Sequence, residues 1–281
     1  METIRTPSIM KQTSRRLQMQ GRSVGLVPTM GALHEGHLFL VKRARMDNDI
    51  VVVSIFVNPT QFGPNEDYEK YPRETDNDIE KLIKAGADIL FAPDVQSVYP
   101  EGFSTSIEVG GITKKLCGLF RPVHFSGVAT IVNKLFNMVT PNRAYFGQKD
   151  FQQTRVIETM IADLNMNVEF IRCATVRESD GLAMSSRNRF LSPEGRAAAT
   201  TIYKTLSSAA EQVKAGVPPP EITEHMNEAL RAEPLVEVVQ YAGVYDPLTL
   251  DEKKASGGSS LLAIAAIIEN TRLIDNIVIE V

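Results

Sequence analysis

Apolar runs alternate with stretches of helical periodicity along the first part of the chain. The first of them, 23–28, is a short apolar run, and the next, 50–57, is almost wholly apolar and β-branched, which is typical of a parallel strand that is covered on both faces. The full pattern predicts strands at 23–28, 50–57, 88–92, 144–147 and 168–172, and helices at 34–45, 75–85, 128–139 and 151–163. Strands that alternate with helices of this length predict an α/β fold with an open, Rossmann-like, doubly wound parallel sheet.

The pattern changes toward the C-terminal end. Ser192 is a good N-cap residue and is followed by Pro193, which predicts a helix that continues to about residue 214. Beyond it, the pattern predicts a stiff proline connector at 218–220, a short helix at 221–230, and strands at 236–244, 261–268 and 273–281. The sequence therefore predicts a first domain at 1–180 and a smaller α+β domain at 181–281.

Charge and cysteine content exclude several classes of partner. Thirty Lys and Arg residues against 34 Asp and Glu residues leave a net charge of −4, so we expect neither nucleic acid nor a membrane surface as a partner. Cys117 and Cys173 stand far apart, which argues against a disulfide framework or a zinc knuckle. The longest apolar run, 261–268, is far shorter than the roughly 20 residues that span a bilayer, and the N-terminus lacks the apolar core of a signal peptide. We expect a soluble, cytoplasmic protein.

The most informative motif is His34-Glu35-Gly36-His37, just after the first predicted strand and at the start of the first predicted helix. A separation of three helical residues sets the two imidazoles about 60° apart, so both can donate to phosphate oxygens near the free amides of the helix N-terminus. Gly36 would let a ring or ribose approach the main chain. Two solvent-facing histidines at a chance spacing are the alternative. The spacing differs from the His-Glu-x-x-His of metalloproteases.

Two further segments have the composition of phosphate-binding sites. Met184-Ser185-Ser186-Arg187, at the predicted domain boundary, offers hydroxyls and a guanidinium that could cover a triphosphate and close as a hinge; an ordinary linker explains it equally well. Gly147-Gln148-Lys149-Asp150 follows a predicted strand. Lys149 would bind phosphates and Gln153 would bind a hydroxylated substrate, unless the segment is only a helix cap with a surface lysine.

Other polar residues follow the predicted buried strand at 50–57 or lie in a later loop. Asn58 and Gln61 suit a small polar acid, with plain turn chemistry as the alternative. Arg121 and His124 add a cation and an imidazole, although a solvated loop is nearly as good an interpretation. No dinucleotide-binding Gly-x-Gly-x-x-Gly, P-loop or Gly-x-Ser-x-Gly sequence occurs, so a dehydrogenase, a P-loop ATPase and a serine hydrolase lose support.

The combination of His-x-Gly-His with Met-Ser-Ser-Arg resembles the nucleotidyltransferase superfamily. Within it the chain closely resembles the pantothenate synthetase family, the pantoate–β-alanine ligases, over segments 28–37, 56–62, 145–153, 180–188 and 271–276. The resemblance implies condensation of (R)-pantoate with β-alanine through an enzyme-bound pantoyl-adenylate. It also implies ATP cleavage to AMP and pyrophosphate, Mg²⁺ with ATP, a homodimer, and a place in coenzyme A biosynthesis.

The same resemblance assigns roles to individual residues. His34, His37, Lys149 and Arg187 would be catalytic. The ATP-binding residues would be Met30, Gly31, Ala32, Leu33, His34, Glu35, Gly36, His37, Gly147, Gln148, Lys149, Asp150, Val176, Met184, Ser185, Ser186 and Arg187. Gln61 and Gln153 would hold pantoate, with Asn58, Arg121 and His124 in the wider substrate site. The domain at 1–180 would bind ATP and pantoate, and the domain at 181–281 would act as a lid.

Two residues depart from the family pattern, and two other functions stay open. Val123 and Glu269 stand where the family usually has glycine; the first leaves the loop geometry of Arg121 and His124 in doubt. A nucleotidyltransferase with a phosphate acceptor would use the same phosphate-binding residues, although neutral Gln61 and Gln153 disfavour a phosphate. A nucleotide sensor without catalysis is the other alternative.

Overall fold

The computed structural model describes residues 1–64 and 66–280. The strands are β1 (Glu2–Ile4), β2 (Val24–Thr29), β3 (Ile50–Ile55), β4 (Ile89–Phe91), β5 (Arg143–Gly147), β6 (Glu169–Cys173), β7 (Val236–Tyr245), β8 (Ser260–Ile268) and β9 (Thr271–Ile279). The helices are α1 (Pro7–Met19), α2 (Glu35–Asp47), α3 (Thr75–Ala85), α4 (Val95–Val98), α5 (Cys117–Phe120), α6 (His124–Val139), α7 (Phe151–Asp163), α8 (Pro193–Ala198), α9 (Thr200–Lys214) and α10 (Pro219–Arg231). Short 3₁₀ turns cover Pro59–Gln61, Ile112–Lys114, Gln148–Asp150 and Ser186–Phe190.

The chain packs as two units. The first contains Met1–Gly110, Arg121–Gly147 and Gln153–Ala174, and the second contains Gly111–Phe120, Gln148–Gln152 and the chain from Thr175 onward. The boundary predicted at 180 lies inside the second unit. Residues just before it belong there because the main chain near 176 pairs with the main chain near 184. The two short earlier segments have no compositional signal that distinguishes them from their neighbours.

The first unit is built on a parallel sheet with the strand order β1-β4-β3-β2-β5-β6. Strand β2 pairs with β3 on one side and with β5 on the other, so the direction of winding reverses at β2. Open sheets bind ligands beside such a switch point, beyond the carboxyl ends of the strands. The predicted doubly wound parallel sheet is confirmed.

Helices of the first unit cover this sheet. Helix α2 packs on α3, and α1 packs on α6. Apolar residues of α2 and α3, including Val41, Ala44 and Leu82, are fully buried with Val51 and Val53 on one face of β3. Val52, on the opposite face, is also fully buried, so the strand is covered on both faces. The hydrophobic pattern did not predict strand β1 or helix α1. Strand β1 is only three residues long. Helix α1 has two polar side chains among its four buried residues, which weakens its apolar periodicity.

The second unit has a three-stranded antiparallel sheet in the order β7-β8-β9, and α9 and α10 pack on it. The predicted smaller α+β unit is therefore present. The single helix predicted at 192–214 is wrong, because α8 ends before Ala199 and α9 begins after it. The proline connector is also wrong: Pro219 and Pro220 form the first turn of α10, where proline's fixed φ suits the helix and no amide donor is needed.

Within the described ranges 1–64 and 66–280, no helix combines the length and apolar character needed to cross a membrane. Cys117 and Cys173 are both buried free thiols.

Candidate active site

The loop after β2 has an unusual main-chain conformation. Gly31 has a φ of 85° and Ala32 a φ of 51°, the left-handed region that favours glycine. A Cβ on Gly31 would lie 3.1 Å from both Oδ2 of Asp78 and Cγ2 of Ile55. The left-handed conformation is unfavourable for Ala32, by about 1–2 kcal/mol, so other contacts must hold the loop in this shape.

Asp78, in the first turn of α3, provides those contacts. Its Oδ2 accepts a hydrogen bond from the amide of Ala32, and its Oδ1 accepts one from the amide of Leu33, each at 2.8 Å. Lys81, one turn later, donates to the carbonyl of Leu33 at 2.6 Å. The Asp78 side chain is buried, and hydrogen bonds to an ionised carboxylate are about twice as strong as neutral ones. The sequence analysis missed Asp78, because an acid in a first turn is ordinary helix chemistry.

His34 and His37 cap the N-terminus of α2. Nδ1 of His34 accepts from the amide of Gly36 at 3.2 Å, and Nδ1 of His37 accepts from the amide of His34 at 3.4 Å. The carbonyl of His34 accepts from the amides of His37 and Leu38, at 2.8 and 3.1 Å. The expectation that these amides stay free for phosphate is therefore wrong, because the motif itself uses them.

The capping bonds also set the tautomer of each ring. An Nδ1 atom that accepts a hydrogen bond carries no proton, so the neutral imidazoles of His34 and His37 are protonated at Nε2. The two ring centroids lie 4.0 Å apart. Each neutral ring of the motif therefore carries its proton on Nε2, and recognition of phosphate by these rings stays a prediction.

Asn58 and Gln61 follow β3, and both are buried. Nδ2 of Asn58 donates to Oε1 of Gln61 and to the carbonyl oxygen of Gly127 of α6, both at 3.1 Å. Nε2 of Gln61 donates to Sδ of Met30 at 3.1 Å. The structure thus brings the predicted pantoate residue Gln61 into contact with the predicted ATP-binding loop.

Thr60, which lies in the same segment, and Tyr99, which the sequence analysis missed, complete this network. The hydroxyl of Tyr99 donates to Oδ1 of Asn58 at 2.8 Å, and the hydroxyl of Thr60 donates to the same atom at 3.0 Å. Burial raises the pKa of the Tyr99 phenol above its ordinary value, so this group stays protonated at neutral pH. Tyr99 lies about 40 positions from Asn58, and no local pattern could have linked them.

Arg121 and His124 hold the main chain of Gln61. Nδ1 of His124 lies 3.0 Å from the carbonyl oxygen of Gln61, and since a carbonyl only accepts, this Nδ1 is protonated. Arg121 makes a bidentate ion pair with Glu66, with Nε–Oε1 at 3.0 Å, and its Nη2 lies 3.4 Å from the same carbonyl. Val123 has a φ of −90°, where no glycine is required. Direct contact of Arg121 or His124 with substrate stays a prediction.

In the second unit, the turn that contains Lys149 is held from β9. Nδ2 of buried Asn276 donates to the carbonyl oxygens of Gln148 and Lys149, at 3.0 and 2.9 Å. The neighbouring Asp275 binds Arg177 through two bonds of 2.5 and 3.0 Å. The segment at 271–276 supported the family resemblance, and its structural role is to fix the Lys149 main chain. No local signal in the sequence indicates that role.

The Met-Ser-Ser-Arg segment lies beside Val176, another residue of the predicted ATP site, and binding of ATP there stays a prediction. The amide of Met184 donates to the carbonyl of Val176 at 3.0 Å. Ser185 is the N-cap of the turn Ser186–Phe190, and its Oγ accepts from the amide of Arg187 at 3.3 Å. The segment is therefore a defined turn and not an extended linker.

Glu269, the second departure from the family pattern, has a structural role. Its carboxylate accepts from the amide and the hydroxyl of Ser192, at 2.8 and 2.6 Å, and these bonds lower its pKa. A Cβ on Gly195 would lie only 2.1 Å from Oε2 of Glu269. Glu269 thus supports the N-terminus of α8, where Ser192 is the N-cap.

The other predicted residues lie at strand or helix ends. Gly147 ends β5, and half-buried Gln153 lies in the first turn of α7; Lys149 is half-buried and Asp150 is exposed. In the part of the chain that the structure describes, no three His, Cys, Asp or Glu side chains form a metal-binding group.

Comparisons with known proteins identify the family of the chain. A family model for pantoate–β-alanine ligase matches residues 2–278. The pantothenate synthetase of Thermodesulfovibrio yellowstonii is 57% identical over 280 residues, with 100% of both chains covered. A pantothenate synthetase structure from Thermus thermophilus has a TM-score of 0.94 and 45% identity over 99% of both chains. A pantoate–β-alanine ligase structure from Francisella tularensis, complexed with β-γ ATP and β-alanine, has a TM-score of 0.81 and 35% identity, covering 99% of this chain and 97% of that one.

The fold and these relatives define a ligase that forms a carbon–nitrogen bond. The chain belongs to the pantoate–β-alanine ligase family, and its relatives are named pantothenate synthetase. The family resemblance inferred from the motifs is confirmed.

Proposed function

We propose that the chain joins pantoate to β-alanine through a pantoyl-adenylate, with cleavage of ATP to AMP and pyrophosphate. The contact between Gln61 and Met30 carries this proposal, because it places a neutral hydrogen-bonding side chain beside the loop that leads to His34 and His37. A small acid held by Gln61 would lie next to phosphates held by the histidines. The Francisella relative complexed with β-γ ATP and β-alanine supports ATP and β-alanine as substrates here.

In the first half-reaction, a carboxylate oxygen of pantoate attacks the α-phosphorus of ATP, and the bond from that phosphorus to the pyrophosphate oxygen breaks. Negative charge grows on the departing pyrophosphate. The Nε2–H groups of His34 and His37, with Lys149 and Arg187, are the donors that we assign to this charge, since preorganised donors lower such barriers most strongly.

In the second half-reaction, the amine of β-alanine attacks the acyl carbon, the acyl–oxygen bond breaks, and AMP leaves. The amine loses a proton as the amide forms. No nucleophilic side chain is needed. A site that excludes water protects the adenylate from hydrolysis, and the lid role of 181–281 stays a prediction that would meet this need.

We propose Mg²⁺ as a partner of the ATP phosphates. Mg²⁺ usually keeps several waters and takes oxygen ligands from substrate phosphates, so it does not require a cage of protein ligands. It would supply charge neutralisation on the triphosphate, while the histidines, Lys149 and Arg187 orient the phosphates. We also propose that the protein is a homodimer and that it is cytoplasmic; sedimentation of the purified protein tests the oligomeric state.

An isotope experiment tests the adenylate directly. Pantoate labelled with ¹⁸O in both carboxylate oxygens is incubated with ATP, Mg²⁺ and β-alanine, and the products are analysed by mass spectrometry. We expect one labelled oxygen in AMP and one in pantothenate. Label in inorganic phosphate, with ADP as the nucleotide product, would instead require an acyl phosphate and would overturn the proposal.

A further inference from the structure

We infer that a hydrogen-bond relay fixes the orientation of the Gln61 amide, so that its NH₂ group faces pantoate. In this relay Tyr99 and Thr60 are positioning residues that act through Asn58. The inference rests on the proposed role of Gln61 in holding pantoate, and it adds which atom of Gln61 makes the contact and what chemistry it selects.

The relay begins at the carbonyl of Gly127. This oxygen can only accept a hydrogen bond, so the Asn58 atom 3.1 Å from it must be Nδ2. The same Nδ2 lies 3.1 Å from the side chain of Gln61, and its second hydrogen therefore requires an oxygen there. The close approach depends on glycine, because a Cβ on Gly127 would lie 2.3 Å from the carbonyl oxygen of Thr60.

The other end of the relay gives the same answer independently. Sδ of Met30 has no hydrogen to donate, so the Gln61 atom 3.1 Å from it is Nε2. A reversed Gln61 amide would set its NH₂ against the NH₂ of Asn58 and its oxygen against the thioether. Both contacts would be lost in that orientation. The carbonyl of Gly127 and the thioether of Met30 can only accept hydrogen bonds, and together they therefore exclude the reversed amide.

Tyr99 and Thr60 strengthen the assignment from the side. Both hydroxyls lie within hydrogen-bonding distance of Oδ1 of Asn58, at 2.8 and 3.0 Å. Both hydroxyls donate to Oδ1 of Asn58, while Nδ2 of Asn58 donates to Gly127 and Gln61. Because Asn58 is 1% exposed, water cannot substitute for a missing partner, and a buried amide left unpaired is unfavourable.

The chemical consequence is selectivity for an acceptor. When pantoate binds, Gln61 would donate its N–H to the ligand and give up the hydrogen bond to the thioether of Met30, which is a weak acceptor. It therefore favours an acid that has a carboxylate or hydroxyl oxygen next to the NH₂ group of Gln61. A site built to donate rejects an analogue that lacks the acceptor. Gln61 thus donates to an oxygen atom of a 2-hydroxy acid and does not accept from its hydroxyl hydrogen.

The test uses Asn58→Asp, which keeps the shape of the side chain but removes the NH₂ group. The carboxylate cannot donate to Gln61, so the Gln61 amide turns and presents oxygen to pantoate. We expect KM for pantoate to rise by at least about 10-fold, the equivalent of 1.4 kcal/mol, with KM for ATP changed less than about 3-fold. Asn137→Asp, at an exposed position of α6, is the matched control and should change neither constant.

Tyr99→Phe is the milder variant and covers the case in which Asn58→Asp fails to fold. It removes one of the two donors to Asn58, and we expect a 2- to 5-fold rise in KM for pantoate alone. Unchanged pantoate constants in a folded variant, or equal rises for pantoate and ATP, would overturn the relay. Failure of the unaltered protein to form pantothenate would instead refute the proposed function, so the two failures are distinguishable.

Discussion

Asp78 gives the sharpest test of how the histidine motif is held, through the substitution Asp78→Asn. The carboxylate accepts from two amides, those of Ala32 and Leu33. Asparagine keeps one acceptor and turns a second N–H toward a buried amide. A hydrogen bond to a charged group contributes about 1.5–3 kcal/mol, and an unsatisfied buried donor costs about 1–3 kcal/mol. Since some relaxation of the loop is expected, we predict a net loss of about 2–4 kcal/mol in the free energy that holds the loop.

The measured effect should appear mainly in ATP binding. If the whole loss of about 2–4 kcal/mol must be overcome when ATP binds, the affinity for ATP falls by up to roughly 30- to 1,000-fold. Because bound ATP restores part of the order of the loop, we expect a decrease in ATP affinity of at least about 10-fold. Pantoate affinity should change less than about 3-fold, because Asn58 still holds Gln61. Isothermal titration calorimetry with each substrate measures both, and urea unfolding reports global stability.

Asp76→Asn is the matched control, because Asp76 lies in the same first turn of α3 but is exposed. It should shift the free energy of unfolding by no more than about 0.5 kcal/mol and leave ATP affinity intact. If Asp78→Asn behaved like this control, with unchanged ATP affinity and stability, the contacts of Asp78 would not position the loop and the reasoning would be refuted.

Three further outcomes are expected. Lys149→Ala should slow adenylate formation by roughly 10²-fold or more while the fold survives, since Lys149 would donate chiefly in the transition state; an unchanged single-turnover rate would remove it from the mechanism. His37→Ala should impair the first half-reaction by about 2–4 kcal/mol, yet form amide almost normally from supplied pantoyl-adenylate and β-alanine; normal adenylate formation from ATP would contradict the assignment. Gly127→Ala should lower the free energy of unfolding by more than about 1 kcal/mol, measured in urea, because its Cβ would overlap the Thr60 carbonyl; a stability equal to that of the unaltered protein would show that α6 can move away.

Local patterns predicted the elements that carry the site. The buried runs gave β2 and β3 nearly to the residue, and the helix at 75–85 agrees with α3, because covered strands and amphipathic helices have strong periodicities. The prediction of one helix at 192–214 was wrong because the break in that helix has no signal in the sequence. A break around Ala199 leaves helical φ and ψ and a helical residue type in place, so composition cannot reveal it.

The sequence by itself determined the family, the parallel sheet and the positions of His34, His37 and Gln61 in the segments that follow β2 and β3. Those properties depend on short-range order: a strand, the turn after it and the residues in that turn are contiguous. Only the tertiary structure decided how these groups are oriented. Asp78, Tyr99 and Gly127 reach the site from other elements, and the direction of each hydrogen bond depends on which buried atom has a proton to give. Such long-range pairings leave no periodic trace in the chain, because their partners are brought together only by the packing of the sheet and its helices.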